Sequence, residues 1–336
     1  MAAAASIPST GDGSQAATPT RHYHGLGAAF ALPPKPLHLA VGMFDGVHLG
    51  HRAVIESAVL SAQRTEGISA ALTFHPHPSR VLRPEQPVRL IQAPETKAGR
   101  LLACGIDAVI TETFTRELAS IEAIALLPHL RASLPHLAAV YVGENWRFGR
   151  GRLGDVSLLV EEGRKLGLNV VSAPRINHNG EPISSTRIRA HLEAGEIAMA
   201  NTLLGYSYVS TGRVVRGKRL GRSLGFPTLN IPWDPECRPR FGVYAVRLWE
   251  ARQTLVCHGV ANYGLRPTVE ETKEPRLEVH VIGGCPFDEG SDLVVEWLDF
   301  LRPEIRFEGV EQLKQQVAQD VGTAAEFHRR QQGPAN

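Results

Sequence analysis

"AVGMFDGVHLGHRAVI", residues 40–55, opens apolar, turns through Asp45 and Gly46, and continues in helical spacing. Residues 37–44 read as a strand, and a helix is predicted to begin near Leu49 or Gly50. In an open parallel sheet, ligands bind beyond the carboxyl ends of the strands, where helix N-termini offer unpaired N–H groups and a partial positive charge. His48 and His51 stand at that mouth, and their spacing of three puts both on one side of the first helical turn. An anion site is expected, with Gly46 and Gly50 letting a phosphate approach the backbone. A metal pair, or histidines without a role, are the competing readings. A metal needs more ligands, of which the "HPHP" at 75–78 offers one.

Outward from this stretch the rhythm repeats. "ISAALTFHP", "IDAVITETF", "HLAAVYVG" and "GLNVVSAP" barely alternate and read as strands buried on both faces. Between them "HRAVIESAVLSAQRTEG", "ETKAGRLLACG", "SIEAIALLPHLRASL" and "SLLVEEGRKLG" carry helical spacing. The pattern predicts an α/β domain with a Rossmann-like, doubly wound parallel sheet. After Gly205, Gly and Pro punctuate short alternating strands such as "FGVYAVRLWE" and "RLEVHVIG", the texture of a small antiparallel β-barrel, with a closing helix from residue 309. The expected division is a disordered tail at 1–35, a first domain at 36–196 and a second at 197–336.

The 336 residues suffice for two cores, and 36 basic against 34 acidic residues leave no global field for nucleic acid or membrane, so any anion is held locally. The four cysteines are scattered without a CxxC pair, which disfavours a zinc site or disulfide framework and fits a reducing cytoplasm. No apolar run reaches a bilayer's width, and the tail has neither a charged start nor an apolar core, leaving an organellar transit peptide as its minor reading.

A second phosphate-ready terminus is "ISSTRIRAHLEAGE", residues 183–196. Ser184 or Ser185 can cap a helix ending before Gly195, which clusters Thr186, Arg187 and Arg189 on its first turns. Alone it reads equally well as an ordinary capped surface helix.

The first half resembles the HxGH nucleotidyltransferases. From about residue 36 to 328 the chain resembles the bifunctional riboflavin kinase/FAD synthetase family, through "GMFDGVHLGH", "TFHPHP", "VGENWRFGRGRLGD", "ISSTRIR", "LLGYSYVSTGRVVRGKRLGRSLGFPTLNI", "FGVYAV", "GVANYGLRPT", "LEVH" and "LRPEIRF". The resemblance implies that the first domain transfers AMP from ATP to FMN, giving FAD and pyrophosphate. Gly42, Phe44, Asp45, Gly46, Gly50, Ser184, Ser185 and Thr186 would then surround the nucleotide. His48, His51 and Arg189 would hold its phosphates, and Asn145, Phe148, Gly149, Arg152 and Asp155 would line the flavin-nucleotide pocket. It implies that the second domain moves the γ-phosphate of ATP to the 5′-hydroxyl of riboflavin, with Glu278 as base, Thr228 and Asn230 on Mg²⁺ and nucleotide, and Arg302 near the flavin. Gly217, Gly221 and Gly225 would form a backbone flap over the phosphates beside Lys218, Arg219 and Arg222. This is no Walker loop, since GxxxxGK[ST] is absent.

Beyond Mg²⁺ arriving with ATP, no tightly bound prosthetic group is implied. The implied partners are riboflavin, FMN, FAD and ATP, with no nucleic acid, no membrane and at most weak self-association. Met43, Asn145, Trp146 and Lys218 depart from the family's usual residues, and the expected "YGK" is missing from "GGCPFDEGSDL". A related nucleotidyltransferase for pantetheine phosphate or nicotinate mononucleotide, a class I aminoacyl-tRNA synthetase, or a non-enzymatic flavin-binding regulator are the rival readings. "GFPTLN" with "LEVH" speaks against the first two, and the retained His48, His51, Arg189, Thr228, Asn230 and Glu278 against the third.

Overall fold

The structure is a computed structural model that describes residues 21–217, 220–250, 253, 255–265 and 275–332. The expectations for residues 1–20 and for Lys218 and Arg219 lie outside these. The first half runs β1 (His22–His24), β2 (Leu37–Val41), α1 (Leu49–Arg64), β3 (Ile68–His75), α2 (Pro78–Leu82), α3 (Pro94–Ala103), β4 (Ala108–Thr113), α4 (Arg116–Ala119), α5 (Leu126–Ser133), β5 (Leu137–Gly143), α6 (Val156–Leu166) and β6 (Asn169–Ala173). A short hairpin, β7 (Asn177–His178) and β8 (Glu181–Pro182), leads to α7 (Ser185–Ala194) and α8 (Ile197–Leu204). The second half is β9 (Val209–Arg213), α9 (Leu220–Ser223), β10 (Leu229–Pro232), β11 (Gly242–Glu250), β12 (Cys257–Leu265), β13 (Pro275–Val281), β14 (Asp292–Pro303) and α10 (Val310–Gln332).

The first sheet has six strands in the order β1-β4-β3-β2-β5-β6, every neighbour parallel. From β2 the chain winds outward through β3 and β4, then returns to the other side of β2 as β5. The switch point lies between β2 and β5, where a doubly wound sheet opens its ligand crevice. β2 is buried along its whole length, while β6, at the edge, is mostly exposed and corrects the expectation of burial on both faces. Residues 21–35 also differ from the expected tail. His22–His24 pairs with β4, and Leu26 and Ala29 join the core, so the ordered chain begins before residue 36.

The second sheet has six antiparallel strands in the order β10-β13-β12-β11-β14-β9. A bridge from Val215 N to Asn230 O, 2.9 Å, brings its two edges together and nearly closes the barrel. β11 is covered on both faces, with Tyr244, Val246 and Leu248 facing the barrel core and Val243 and Ala245 facing α10 through Ala324. The barrel core also takes in Ile188 and Leu192 of α7, Ile197 and Leu203 of α8, and Ile91. A boundary at 196/197 therefore cuts through one packed cluster: two helices of the first expected domain's end and the second's beginning share their apolar face.

Candidate functional sites

One cavity of about 250 Å³ opens at the switch point, lined by Gly42, Met43, Phe44 and His48 from the turn after β2, by Gly50 and His51 of α1, and by residues 143–146, 173–176 and Ile183 opposite. Its floor is the turn 42–48. Phe44, Gly46 and Val47 all have positive φ, at 50°, 86° and 37°, which for Phe and Val is a strained conformation that the surroundings must hold. A Cβ on Gly42 would press on the Phe44 ring at 3.0 Å, so glycine is needed there for the ring to tuck under.

His48 caps α1: its Nδ1 accepts the His51 N–H at 3.2 Å. That bond places the ring proton on Nε2 and makes Nε2–H its donor. The His48 and His51 rings stack at 3.6 Å, and Phe44 meets His51 edge-on at 5.4 Å. Burial pushes His48 down to about 4, and burial with the neighbouring His48 and Lys97 holds His51 well below the usual imidazole range. Both rings are neutral at pH 7.

The second terminus packs against the same turn. Ser184 caps α7 by accepting the Arg187 N–H, Ser185 Oγ donates to Asp45 O at 2.8 Å, and Thr186 is exposed on the first turn. Arg189 departs from expectation: it lies behind the turn, donating from Nη2 to the Asp45 carboxylate at 3.1 Å, its Nε buried without a partner among the described residues. Asp45, 3% exposed, also accepts the Ile91 N–H. Burial raises its carboxyl against the pull of Arg189, Ile91 and Lys97. Arg187 is spent on the carbonyls of His178 and Glu181 in the hairpin and does not join Arg189.

Of the residues expected to line the flavin-nucleotide pocket, Asn145 borders this cavity. The other four do not. Phe148 is buried and stacked on Trp146, Gly149 lies against Ala123, Arg152 follows in a left-handed turn, and Asp155 caps α6 by accepting the Leu158 N–H. Sequence reasoning passed over Lys97, a buried cation beneath the turn that donates to Met43 O at 3.2 Å and Thr73 Oγ1 at 2.9 Å. Burial lowers it to about 8. Its signal was a lysine on the apolar face of α3, beside Ala98 and Leu101. Arg175 and Glu144, paired at 3.3 Å on the cavity's lip, also went unremarked.

The second cavity, also about 250 Å³, lies between the barrel and α10. Register builds it. Asn230 pairs with Glu278, Glu278 with Asn262, Asn262 with Val243, and Val243 with Arg302, one row across β10, β13, β12, β11 and β14. In β13, burial alternates strictly, so Leu277 and Val279 enter the core while Glu278 and His280 face the cavity. Thr228 lines it just before β10, and Asn230 Nδ2 reaches Thr228 O at 3.5 Å. Arg302 makes two hydrogen bonds to Asp320 of α10, 2.8 and 2.6 Å, tying the helix over the cavity. Glu304, absent from the sequence reading, shares this space, and burial raises its carboxyl. Leu224, Phe226, Val260, Ile305, Phe307 and Val317 supply apolar walls.

Gly217, Gly221 and Gly225, expected to form a flap, each have a reason to be glycine. A Cβ on Gly217 would stand 2.3 Å from Asn230 Nδ2, one on Gly221 2.3 Å from Phe226 O, and Gly225 has φ +89°. The backbone thus lies directly on Asn230 and beside Thr228. Their hydroxyl and amide oxygens are hard donors, and among the described residues no cluster of His, Cys, Asp and Glu forms a self-sufficient metal site. A Mg²⁺ that keeps phosphate ligands fits that donor set.

The profile of the FAD synthetase family matches residues 33–187, and that of riboflavin kinase matches 204–328. The bifunctional riboflavin kinase/FMN adenylyltransferase of Escherichia coli K12 is 35% identical over 308 residues, covering 91% of this chain and 96% of that protein. Its counterpart in Listeria monocytogenes is 34% identical over 286 residues, covering 84% and 89%. A crystal structure from Streptococcus pneumoniae, of a protein described as a macrolide-efflux protein, superposes with a TM-score of 0.82 at 26% identity over 91% of this chain and 99% of that one. Among the described residues no helix is long and apolar enough to cross a membrane. The two profiles fall in chain order on the two halves that carry the two cavities, and the chain belongs to the bifunctional riboflavin kinase/FMN adenylyltransferase family.

Proposed function

We propose that the barrel cavity phosphorylates riboflavin and the switch-point cavity adenylylates the resulting FMN, and that the residues divide the work as follows. In the barrel, Glu278 accepts the proton of the ribityl 5′-hydroxyl, which raises the nucleophilicity of a weak alcohol, as that oxygen attacks the γ-phosphorus of ATP and ADP leaves. Thr228 and Asn230 would hold Mg²⁺, which when bound neutralises charge on the phosphates. The backbone at Gly217 and Gly221 covers the phosphates, and the apolar walls with Arg302 take the flavin ring.

In the first half, an FMN phosphate oxygen attacks the α-phosphorus of ATP and pyrophosphate leaves, so no covalent nucleophile is needed and catalysis is positioning plus charge stabilisation. His48 Nε2–H and His51 donate to the phosphates. His48 stays neutral, since its Nδ1 lone pair is held by the His51 N–H, while an arriving triphosphate favours protonation of the His51 ring against the depression that burial imposes. Asn145 contacts the flavin nucleotide. Arg189 acts on the phosphates only if it exchanges Asp45 for them; in its present bond it steadies the turn. The observation that carries this reading is the pairing of the transverse row that holds Glu278 in one cavity with the capped His48–His51 stack in the other, two furnished cavities in one chain. Four free cysteines, Cys104, Cys237, Cys257 and Cys285, support a reducing cytoplasm as its setting, acting on small molecules without nucleic acid or membrane.

Incubating the purified chain with riboflavin and Mg-ATP, then separating the flavins, tests the reading. FMN should rise first and FAD follow. FMN without FAD, or no conversion, would contradict it.

A further inference from the structure

The closest support of the His48 turn comes from outside the stretch that matches FAD synthetase. α8 ends at Gly205, φ +73°, and a Cβ there would lie 2.3 Å from Leu49 Cδ2, so only glycine lets this helix end rest on the first turn of α1. Leu204 approaches from the same end, its Cδ2 3.3 Å from where a Cβ on Gly46 would be. Arg52, also in the first turn of α1, donates to Gly205 O at 3.3 Å. The next residue, Tyr206, donates its hydroxyl to Gly46 O at 2.6 Å, and the same Tyr206 hydroxyl accepts from Gln92 Nε2 at 2.5 Å. The Arg100 guanidinium lies 3.8 Å from the Tyr206 ring centroid, a cation–π contact that fixes the ring. Burial raises the phenol's pKa, so the hydroxyl remains a donor.

Gly46 is the centre of the strained turn that aims His48 and His51, and such conformations persist only where the surroundings over-determine them. We propose that Tyr206, at the start of the riboflavin-kinase stretch, is a positioning residue for adenylyl transfer: by holding Gly46 O it fixes the turn that presents both histidines. The adenylyltransferase site is thereby completed by the kinase half of the chain. Tyr206 touches no reacting atom in this account, and the inference rests on the adenylyl-transfer reading of the switch-point cavity.

The test is Tyr206→Phe in the full chain, with FMN adenylylation and riboflavin phosphorylation measured on the same preparation. The ring and its contact with Arg100 remain; the bond to Gly46 goes. The kcat for FAD formation should fall about tenfold, the worth of one buried hydrogen bond. The KM for FMN and the rate of riboflavin phosphorylation should stay within about twofold. Gln92→Leu, which removes the partner of the same hydroxyl, should move kcat in the same direction by less. An unchanged kcat for FAD formation, or an equal loss of both activities, would overturn the inference. A parent chain unable to convert FMN would instead overturn the reading beneath it.

Discussion

At the switch-point cavity the working side chains come from one turn and the helix behind it. At the barrel cavity they come one per strand, in a row from Asn230 through Glu278 and Asn262 to Arg302. The first arrangement is dense and self-bonded: His48 holds the His51 N–H, Asp45 holds Arg189 and Ile91, and Lys97 holds Met43. Its groups are desolvated and their protonation is shifted. In the second, pleat and register set the direction of each side chain, and α10 is the cover. A site made by a turn is therefore sensitive to anything that deforms the backbone, whereas a site made by register is sensitive to the loss of one side chain or the crowding of its flap.

The sharpest way to break this contrast is at the histidines. His51→Ala should lower FMN adenylylation on the order of 10²- to 10³-fold, the usual cost of one preorganised donor, with riboflavin phosphorylation unchanged. Steady-state assays of both reactions check it. Gly217→Ala places a methyl where Asn230 Nδ2 stands 2.3 Å away. Riboflavin phosphorylation should fall on the order of 10²-fold, as misplacement of a site by about 1 Å does, and adenylylation should not follow.

Arg302→Met leaves the carboxylate of Asp320, 8% exposed in its side chain, without its two charged hydrogen bonds. Breaking such a pair should cost about 3 kcal/mol in a denaturant titration. The barrel would report it first if the halves unfold in separate steps.

The smallest effect is in acid. His48 is held at about 4 when folded and titrates near 6.5 when unfolded. Between these values the unfolded chain binds the extra proton, so stability falls as pH drops below 6.5. From pH 7 to 5 this single group should remove about 2 kcal/mol. His48→Asn, which keeps a capping side chain, should show a shallower acid limb in melting experiments. Equal slopes would deny that the ring is buried neutral.

Much of this was legible in the sequence, for reasons specific to each element. The strand read at 37–44, which ends at Val41, the turn at Asp45 and Gly46 and the helix at Leu49 follow from residue periodicity and turn chemistry, as do the serine cap of α7, read as Ser184 or Ser185 and made by Ser184, and the stop of α7 at Gly195. Alternation in "RLEVHV" sets Glu278 away from the core before any register is known. Partners distant in the chain were not legible. Arg189 looks like a free fork in "ISSTRIR", yet it faces Asp45, 144 positions earlier. Arg187 has the same chemistry and serves a hairpin. Phe148 and Asp155 take their expected pocket role from the family resemblance alone, where their own residues read as a loop after a buried strand, and the structure uses them in packing on Trp146 and in capping α6. The strand at 22–24 is too short to show a period and gains its place only by pairing with β4. The change of texture near residue 196 is real in sequence, but burial of Ile188 and Leu192 with Trp297 carries the barrel core across it.

Whether two separate chemistries share one chain, with Glu278 serving only one, is decided by Glu278→Gln assayed with riboflavin and with FMN as alternative substrates. The amide keeps the shape and loses the proton acceptor. Riboflavin phosphorylation should fall on the order of 10²- to 10³-fold, within the range of general-base catalysis. FAD should still form from supplied FMN at the parent rate. Undiminished phosphorylation of riboflavin, or an equal loss of FAD formation from FMN, would contradict the account.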